Sequence, residues 1–139
     1  MNYKEMALDL LKTRIDFLHV PVSQKLSNFI KGEYFVLNYL LTHDSQAHPK
    51  ELNREMAVSS ARIAALLNHM EEKGLVIRHD DATDNRQVIV SLTEKGNALI
   101  EEKKAELLQN VIQLLEYLGP EDAQNYIRIQ KKIIHGFAK

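Results

Sequence analysis

A mainly α-helical chain interrupted by one β-hairpin is what this sequence predicts, and three observations carry the expectation. Apolar residues recur at helical spacing along most of the 139 residues. Two short runs rich in branched apolar side chains, Leu75 to His79 and Gln87 to Leu92, break that rhythm on either side of a polar segment. No fixed-period repeat and no low-complexity tract occurs, so solenoid and linker architectures have no support. A chain of this length buries enough of its unfolded surface to fold as one domain without staples. Its composition, 45% hydrophobic and 27% charged, is that of an ordered protein.

From Tyr3 to Leu18, the residues Met6, Leu10, Leu11, Ile15 and Leu18 form one apolar helical stripe. Pro21 interrupts the pattern, and Gly32-Glu33 precedes a second helix through Phe35, Val36, Tyr39 and Leu40 that ends near 42–45. Pro49 suits the first turn of a short third helix, His48 to Met56, because its missing N–H would have no helical partner there. After an exit turn at Ala57-Val58, Ser59 or Ser60 can cap a fourth helix reaching Lys73, with Ile63, Leu66, Leu67 and Met70 turned inward and Gly74 ending it. The hairpin comes next, with Asp80 to Asn85 as its loop. Thr93 then caps a long helix with the stripe Leu99, Leu107, Val111, Leu114, Leu115 and Leu118. Gly119-Pro120 is a stop and a restart, and a last helix carries Tyr126, Ile127, Ile133, Ile134 and Phe137. The expected order is four helices, two strands and two helices.

Several function classes drop out. The chain has no cysteine, which removes disulfides, thiolate zinc sites and thiol redox switches. No apolar run approaches the length needed to cross a bilayer, and Glu5 and Asp9 break up the N-terminal apolar positions, so a cytoplasmic protein is expected. No nucleophile elbow, phosphate loop or H-E-x-x-H occurs, so no enzyme reading has a catalytic constellation behind it and no cofactor is implied. His79, Asp80, Asp81 and Asp84 cluster in sequence but lack the spacing, the glycine and the closing glutamate of a calcium loop. His43 and His48 have no visible third ligand. No metal is expected.

The third helix, the turn Ala57-Val58 and the fourth helix have the spacing of a helix-turn-helix, in which the second helix lies in the major groove of duplex DNA. The residues C-terminal to these helices make the pattern specific. Met70-Glu71-Glu72-Lys73-Gly74-Leu75-Val76, and above all Asp84-Asn85-Arg86 with Val88 to Gly96 after it and Leu92-Thr93 inside that run, resemble the MarR family of winged helix-turn-helix regulators. The resemblance implies one MarR-like unit over 1–139. Residues 33–96 would be the DNA-binding region, and 1–31 and 97–139 the dimerisation helices. It departs at Asn53 and Ala57, where the family usually places Ala and Gly, which bears on the turn between the motif helices, and at Ala65, where many members carry a basic or polar residue.

The resemblance also implies that Arg86 enters a minor groove from the wing tip while Asp84 holds it. The physics agrees: a narrow A·T-rich groove concentrates negative potential, and a guanidinium is weakly hydrated enough to be inserted there. On the exposed front of the reading helix, Ser59 and Ser60 can bond phosphates, Arg62 can bond guanine, and Ala61 and Ala65 can touch thymine methyls; the serines can equally do nothing but cap. His69 and Arg78 can reach flanking phosphates. Between Lys50 and Lys95, however, seven bases face eight acids, so binding would depend on local placement of a few cations. The terminal stripes exceed what one small winged domain can cover, so a homodimer on a near-palindromic operator is expected. In members of the family, small aromatic effectors often bind between the two regions; here Tyr3, Phe17, Phe29, Phe35 and Tyr39 can line such a cleft, or simply be core. The expected role is a transcriptional regulator that occupies an operator and obstructs or assists RNA polymerase, with a repressor as the first reading. The other reading, consistent with near-neutral charge, is a winged-helix module that binds another protein and no DNA.

Overall fold

The protein is described by a computed structural model covering residues 1–84 and 86–138. The elements run α1 (Tyr3–Phe17), α2 (Pro21–Phe29), α3 (Gly32–Leu41), β1 (Gln46–Ala47), α4 (Pro49–Met56), α5 (Ser60–Glu72), β2 (Val76–Asp80), β3 (Val88–Leu92), α6 (Glu94–Leu118) and α7 (Pro120–Phe137). The three strands form one antiparallel sheet in the order β1-β3-β2.

Two elements go beyond the sequence-based expectation. Pro21, read as an interruption, is the first residue of a separate helix, α2, which turns Val22, Leu26 and Phe29 onto its half-buried side. A proline that stops one helix is equally suited to begin the next, and nine residues are too few for a periodicity to stand out. β1 is only two residues long and carries no alternation of its own. It exists because Gln46 and Ala47 find Ser91 and Val90 across the sheet, so only a long-range pairing defines it. The helix starts at Ser60, Glu94 and Pro120 agree with the expected caps and restart.

The core lies wholly in the middle of the chain. Val36, Leu37 and Leu40 of α3, Leu52 of α4, Ile63, Leu67 and Met70 of α5, Val76 and Val90 of the hairpin and Ile100 of α6 are all fully buried. Each stripe has the period of its element, and together they close one apolar interior. By contrast, α1 and α7 bury none of their residues. Leu10, Leu11 and Ile15 on α1 stand 60–63% exposed, and Phe137 at the end of α7 84%. An isolated helix the length of α1 is marginal in water, because so few residues share the nucleation cost.

The start of α6 is pinned to the end of α5. The Thr93 hydroxyl donates to the Gly74 carbonyl at 2.7 Å and accepts the Gly96 N–H at 3.0 Å, and Lys95 Nζ donates to the Lys73 carbonyl at 2.8 Å. Gly96 is needed for closeness and not for its dihedrals: a Cβ there would stand 2.2 Å from the Leu75 carbonyl oxygen and 2.9 Å from Leu92 Cδ1. The Leu92 methyl can shift, but the Leu75 carbonyl is backbone and cannot yield without moving the chain. Gly96→Ala is therefore expected to lower stability by about 3 kcal/mol, the upper end of over-packing penalties. Urea unfolding followed by circular dichroism measures it; a loss under about 0.5 kcal/mol, the size of an ordinary surface change, would contradict the close approach.

Candidate nucleic-acid interface

The turn between α4 and α5 sets the direction of the exposed helix. Ala57 adopts a left-handed conformation, φ 54° and ψ 44°, which an L-residue with a Cβ enters at a penalty of about 1–2 kcal/mol. Asn53 offsets this by donating from Nδ2 to the Val58 carbonyl at 3.0 Å, while its own carbonyl accepts the Val58 N–H. The two departures from the family pattern thus meet in one turn. Ser59, and not Ser60, is the N-cap of α5: its Oγ accepts the Arg62 N–H at 3.2 Å.

Because Ile63, Leu67 and Met70 point inward, Ser60, Ala61, Arg62, Ala64, Ala65, Asn68 and His69 are left on the exposed side of α5. Three alanines on that face let a helix backbone approach a surface closely, with Arg62 projecting beyond them. Arg62, Ala65 and His69 border a groove of about 510 Å³ against α3 and α4, whose apolar wall includes Phe35, Met56, Val58 and Leu66. Ser60 and Ala64 face the other way, toward a second groove of about 380 Å³ shared with the start of α4 and the hairpin.

The hairpin tip is built by carboxylates. Asp81 accepts the Thr83 N–H at 2.9 Å and its hydroxyl at 2.8 Å, and these two bonds, in that order, hold its carboxyl below the usual range. Asp84 Oδ1 accepts both the Arg86 backbone N–H at 3.1 Å and its Nε–H at 3.2 Å, so backbone and guanidinium are held by one oxygen. The Arg86 side chain is still 90% exposed and ends the wing. Asn85, between them in the motif, lies outside the described residues.

The other cations divide into tied and free. Arg78 is committed: its Nη2 donates to Glu71 Oε1 at 3.0 Å and to Asn68 Oδ1, and its backbone N–H donates to Glu71 Oε2 at 2.9 Å. That backbone bond first, and the guanidinium second, hold the Glu71 carboxyl below the ordinary glutamate range. Glu71 thereby staples β2 to the end of α5. Lys73 is paired with Glu33 at 3.0 Å, and His69 Nε2 lies 3.6 Å from the same carboxylate. Among the described residues no ion pair joins Arg62 or Lys50 to a carboxylate.

Lys50 was not among the site residues expected from sequence. It is exposed, and it borders both the groove beside Ser60 and Ala64 and a smaller one beside Arg86 and Gln87. The cue lay in Pro49: a proline in the first turn puts the next residue at the positive end of the helix, and the fold sets that end against the wing. Of the aromatic group, Phe35 and Tyr39 stack with centroids 6.2 Å apart, whereas Tyr3 and Phe17 sit on the bare α1 and Phe29 packs on the core from α2. The Tyr39 hydroxyl donates to Glu51 at 3.0 Å, and burial, then that bond, raises its pKa.

Known proteins share both the sequence pattern and the fold. The family model described as "Transcriptional regulator SarA/Rot" matches residues 22–103. An organic hydroperoxide resistance transcriptional regulator of Bacillus subtilis (strain 168) is 30% identical over 99 residues, spanning 71% of this chain and 65% of that protein. The HTH-type transcriptional regulator YwhA of the same organism is 27% identical over 120 residues, 86% of this chain and 82% of its own length. A MarR family protein from Bacillus stearothermophilus has the same fold, with a TM-score of 0.76, 25% identity and coverage of 100% of this chain and 99% of that one. No helix of the described residues is long and apolar enough to cross a membrane. The chain belongs to the SarA/Rot family of transcriptional regulators, built on the MarR-type winged helix-turn-helix fold, and that family is one of regulators and not of enzymes.

Proposed function

We propose that the chain works in the cytoplasm as a homodimer that occupies a near-palindromic double-stranded DNA operator and represses transcription by obstructing polymerase. The observation that carries this reading is the pair of projecting guanidinium groups, Arg62 on α5 and Arg86 on the wing tip, each on an element whose direction is fixed by hydrogen bonds. Residues 33–96 form the DNA-binding region in this reading, with α5 in the major groove and the wing over the adjacent minor groove. Arg62 reads a base edge, Ala61 and Ala65 meet thymine methyls, Ser59, Ser60 and His69 face phosphates, and Asp84 limits the rotamers of Arg86. Arg78 serves by holding the wing root through Glu71, not by contacting DNA itself.

Arg62→Ala and Arg86→Ala are each expected to weaken binding to a duplex selected from a random pool by about 1–3 kcal/mol, with circular dichroism unchanged. If reversing both charges leaves affinity unaltered, the chain is instead a winged-helix module for another protein, the reading its near-neutral charge favours.

The second copy is called for by α1 and α7. Their apolar rows, with residues 1–31 and 97–139 around them, form the dimerisation region in this reading, because apolar rows of that length do not stay in water. The two copies of α5 would then stand about 34 Å apart, one turn of duplex. Sedimentation at micromolar protein should return twice the chain mass, and a lone monomer would end the proposal.

The groove between α3 and α5 supports a small aromatic effector. Its wall is apolar, and Lys31, Arg62 and His69 stand at its margin with one carboxylate, Glu55, a balance of charge that suits a weakly acidic aromatic. Phe35 and Tyr39 belong to this side of the molecule, and Tyr3 and Phe17 complete the cleft only when α1 is docked in the dimer. A ligand that engages Arg62 removes it from DNA, and linkage makes the effect reciprocal. Within these 139 residues there is no cysteine, so thiol-based peroxide sensing is not part of the proposal. An aromatic acid such as benzoate is expected to raise the thermal midpoint while lowering DNA affinity; movement of the midpoint alone, or of neither quantity, would remove the effector from the scheme.

A further inference from the structure

The ring of His48, at the N-cap of α4, does not turn toward its own helix. The Glu51 N–H, which a capping side chain would take, donates at 3.0 Å to the His48 carbonyl, and the Glu51 carboxylate accepts the His48 backbone N–H at 3.1 Å, so the imidazole forms no cap bond and reaches the wing. There Nδ1 lies 3.0 Å from the Val88 carbonyl oxygen, and Nε2 lies 3.5 Å from Asp81 Oδ2. Both partners are acceptors and neither can donate. A neutral imidazole has one N–H, so it can satisfy one of them and must aim a lone pair at the other. The imidazolium donates to both.

We propose that His48 is a positioning residue whose protonation latches the root of the wing onto α4 and fixes the height of Arg86, making DNA affinity rise as pH falls. This consequence rests on the DNA-binding reading, whereas the latch itself does not. Val88 opens β3 only two residues after Arg86, so a bond at its carbonyl acts directly on the tip. Asp81 stays ionised because Thr83 holds it, and its side chain is only 13% exposed, against 34% for His48, so solvent screens the pair incompletely. The charged groups facing the ring are Asp81 and Arg86 on the wing and Lys50 and Glu51 on α4. Arg86 is partly offset by Asp84, and Glu51 is occupied by the His48 N–H and the Tyr39 hydroxyl, which leaves Asp81 as the carboxylate on the ring.

The test is fluorescence anisotropy with a selected duplex from about pH 8 to pH 6, the range in which histidines ordinarily change charge, at constant ionic strength. The other histidines are common to both chains, so the readout is the difference between wild type and His48→Gln. Wild type should gain on the order of threefold more affinity than His48→Gln across the range, the size expected of a partly screened pair. Asp81→Asn keeps an oxygen for Thr83 and supplies an N–H to a neutral ring, so its affinity at pH 8 should approach that of wild type at pH 6. Parallel pH profiles for wild type and His48→Gln, whatever their offset, overturn the proposal. A second arm needs no DNA: in the free protein at pH 6, nitrogen-15 spectra should show both His48 ring N–H protons slowed in exchange. Ring protons that exchange as fast as those of the exposed His19 overturn the latch, whereas slowed protons in a chain that binds no duplex leave the latch standing and overturn only the DNA reading.

Discussion

At Gly96 the first turn of α6 comes so near the chain leaving α5 that no side chain fits between them, and the bonds around it run in both directions. Thr93 serves Gly74 and Gly96 at once, Lys95 closes on the Lys73 carbonyl, and the Thr93 N–H donates to the Leu75 carbonyl. The exposed helix, the sheet and the long helix therefore meet at one junction with no slack in it. Whatever changes the direction of α6 must move α5, because packed interiors shift between discrete arrangements and do not bend smoothly. A region that contributes nothing to the core, the far half of α6 with α7, acquires in this way a mechanical hold on the surface proposed to face DNA.

Carboxylates do most of the positioning on that surface. Glu71 ties the first strand of the wing to α5, Asp84 holds Arg86 by backbone and side chain together, Asp81 shapes the loop, and Glu33 gathers Lys73 and His69. The result resolves an apparent conflict between a near-neutral chain and an anionic partner. Half of the acids between Lys50 and Lys95, namely Glu51, Glu71, Asp81 and Asp84, are fittings engaged with specific N–H groups, and the cations they leave free are few and well placed. Affinity built on so few phosphate contacts should be modest, with specificity resting on geometry more than on long-range attraction.

The turn between the motif helices works in the same way on a smaller scale. A left-handed alanine is strained, and an asparagine where a small residue is usual would crowd a tight crossing, yet Asn53 reaches over the turn and bonds the Val58 carbonyl. Two substitutions that each look unfavourable become one local solution. A neighbouring histidine behaves similarly: with the Glu51 N–H taken by the His48 carbonyl, His48 spends its ring on the wing.

Helix periods, caps and punctuation, which are local, could largely be read from the residues alone: the helices and the inward stripe of α5, a serine cap at 59 or 60, the Thr93 cap, the hairpin and the restart at Pro120, with the pair Asp84 and Arg86 marked by its family motif. These depend on interactions within a few residues, and the sequence records such interactions directly. Leu37 and Ile100, both fully buried, are missing from the expected stripes of α3 and α6. α2 and β1 escaped because the first is too short to display a period and the second is defined by a strand far along the chain. The same distance rule divides the site. Arg62 and Arg86 announce themselves by position in a motif, whereas the commitment of Arg78 to Glu71, the placement of Lys50 between two grooves and the reach of His48 to Val88 and Asp81 are decided only when α4, α5 and the wing close on one another. A sequence specifies which groups can bond; the fold alone decides which acceptor each donor meets, and so which charges remain free.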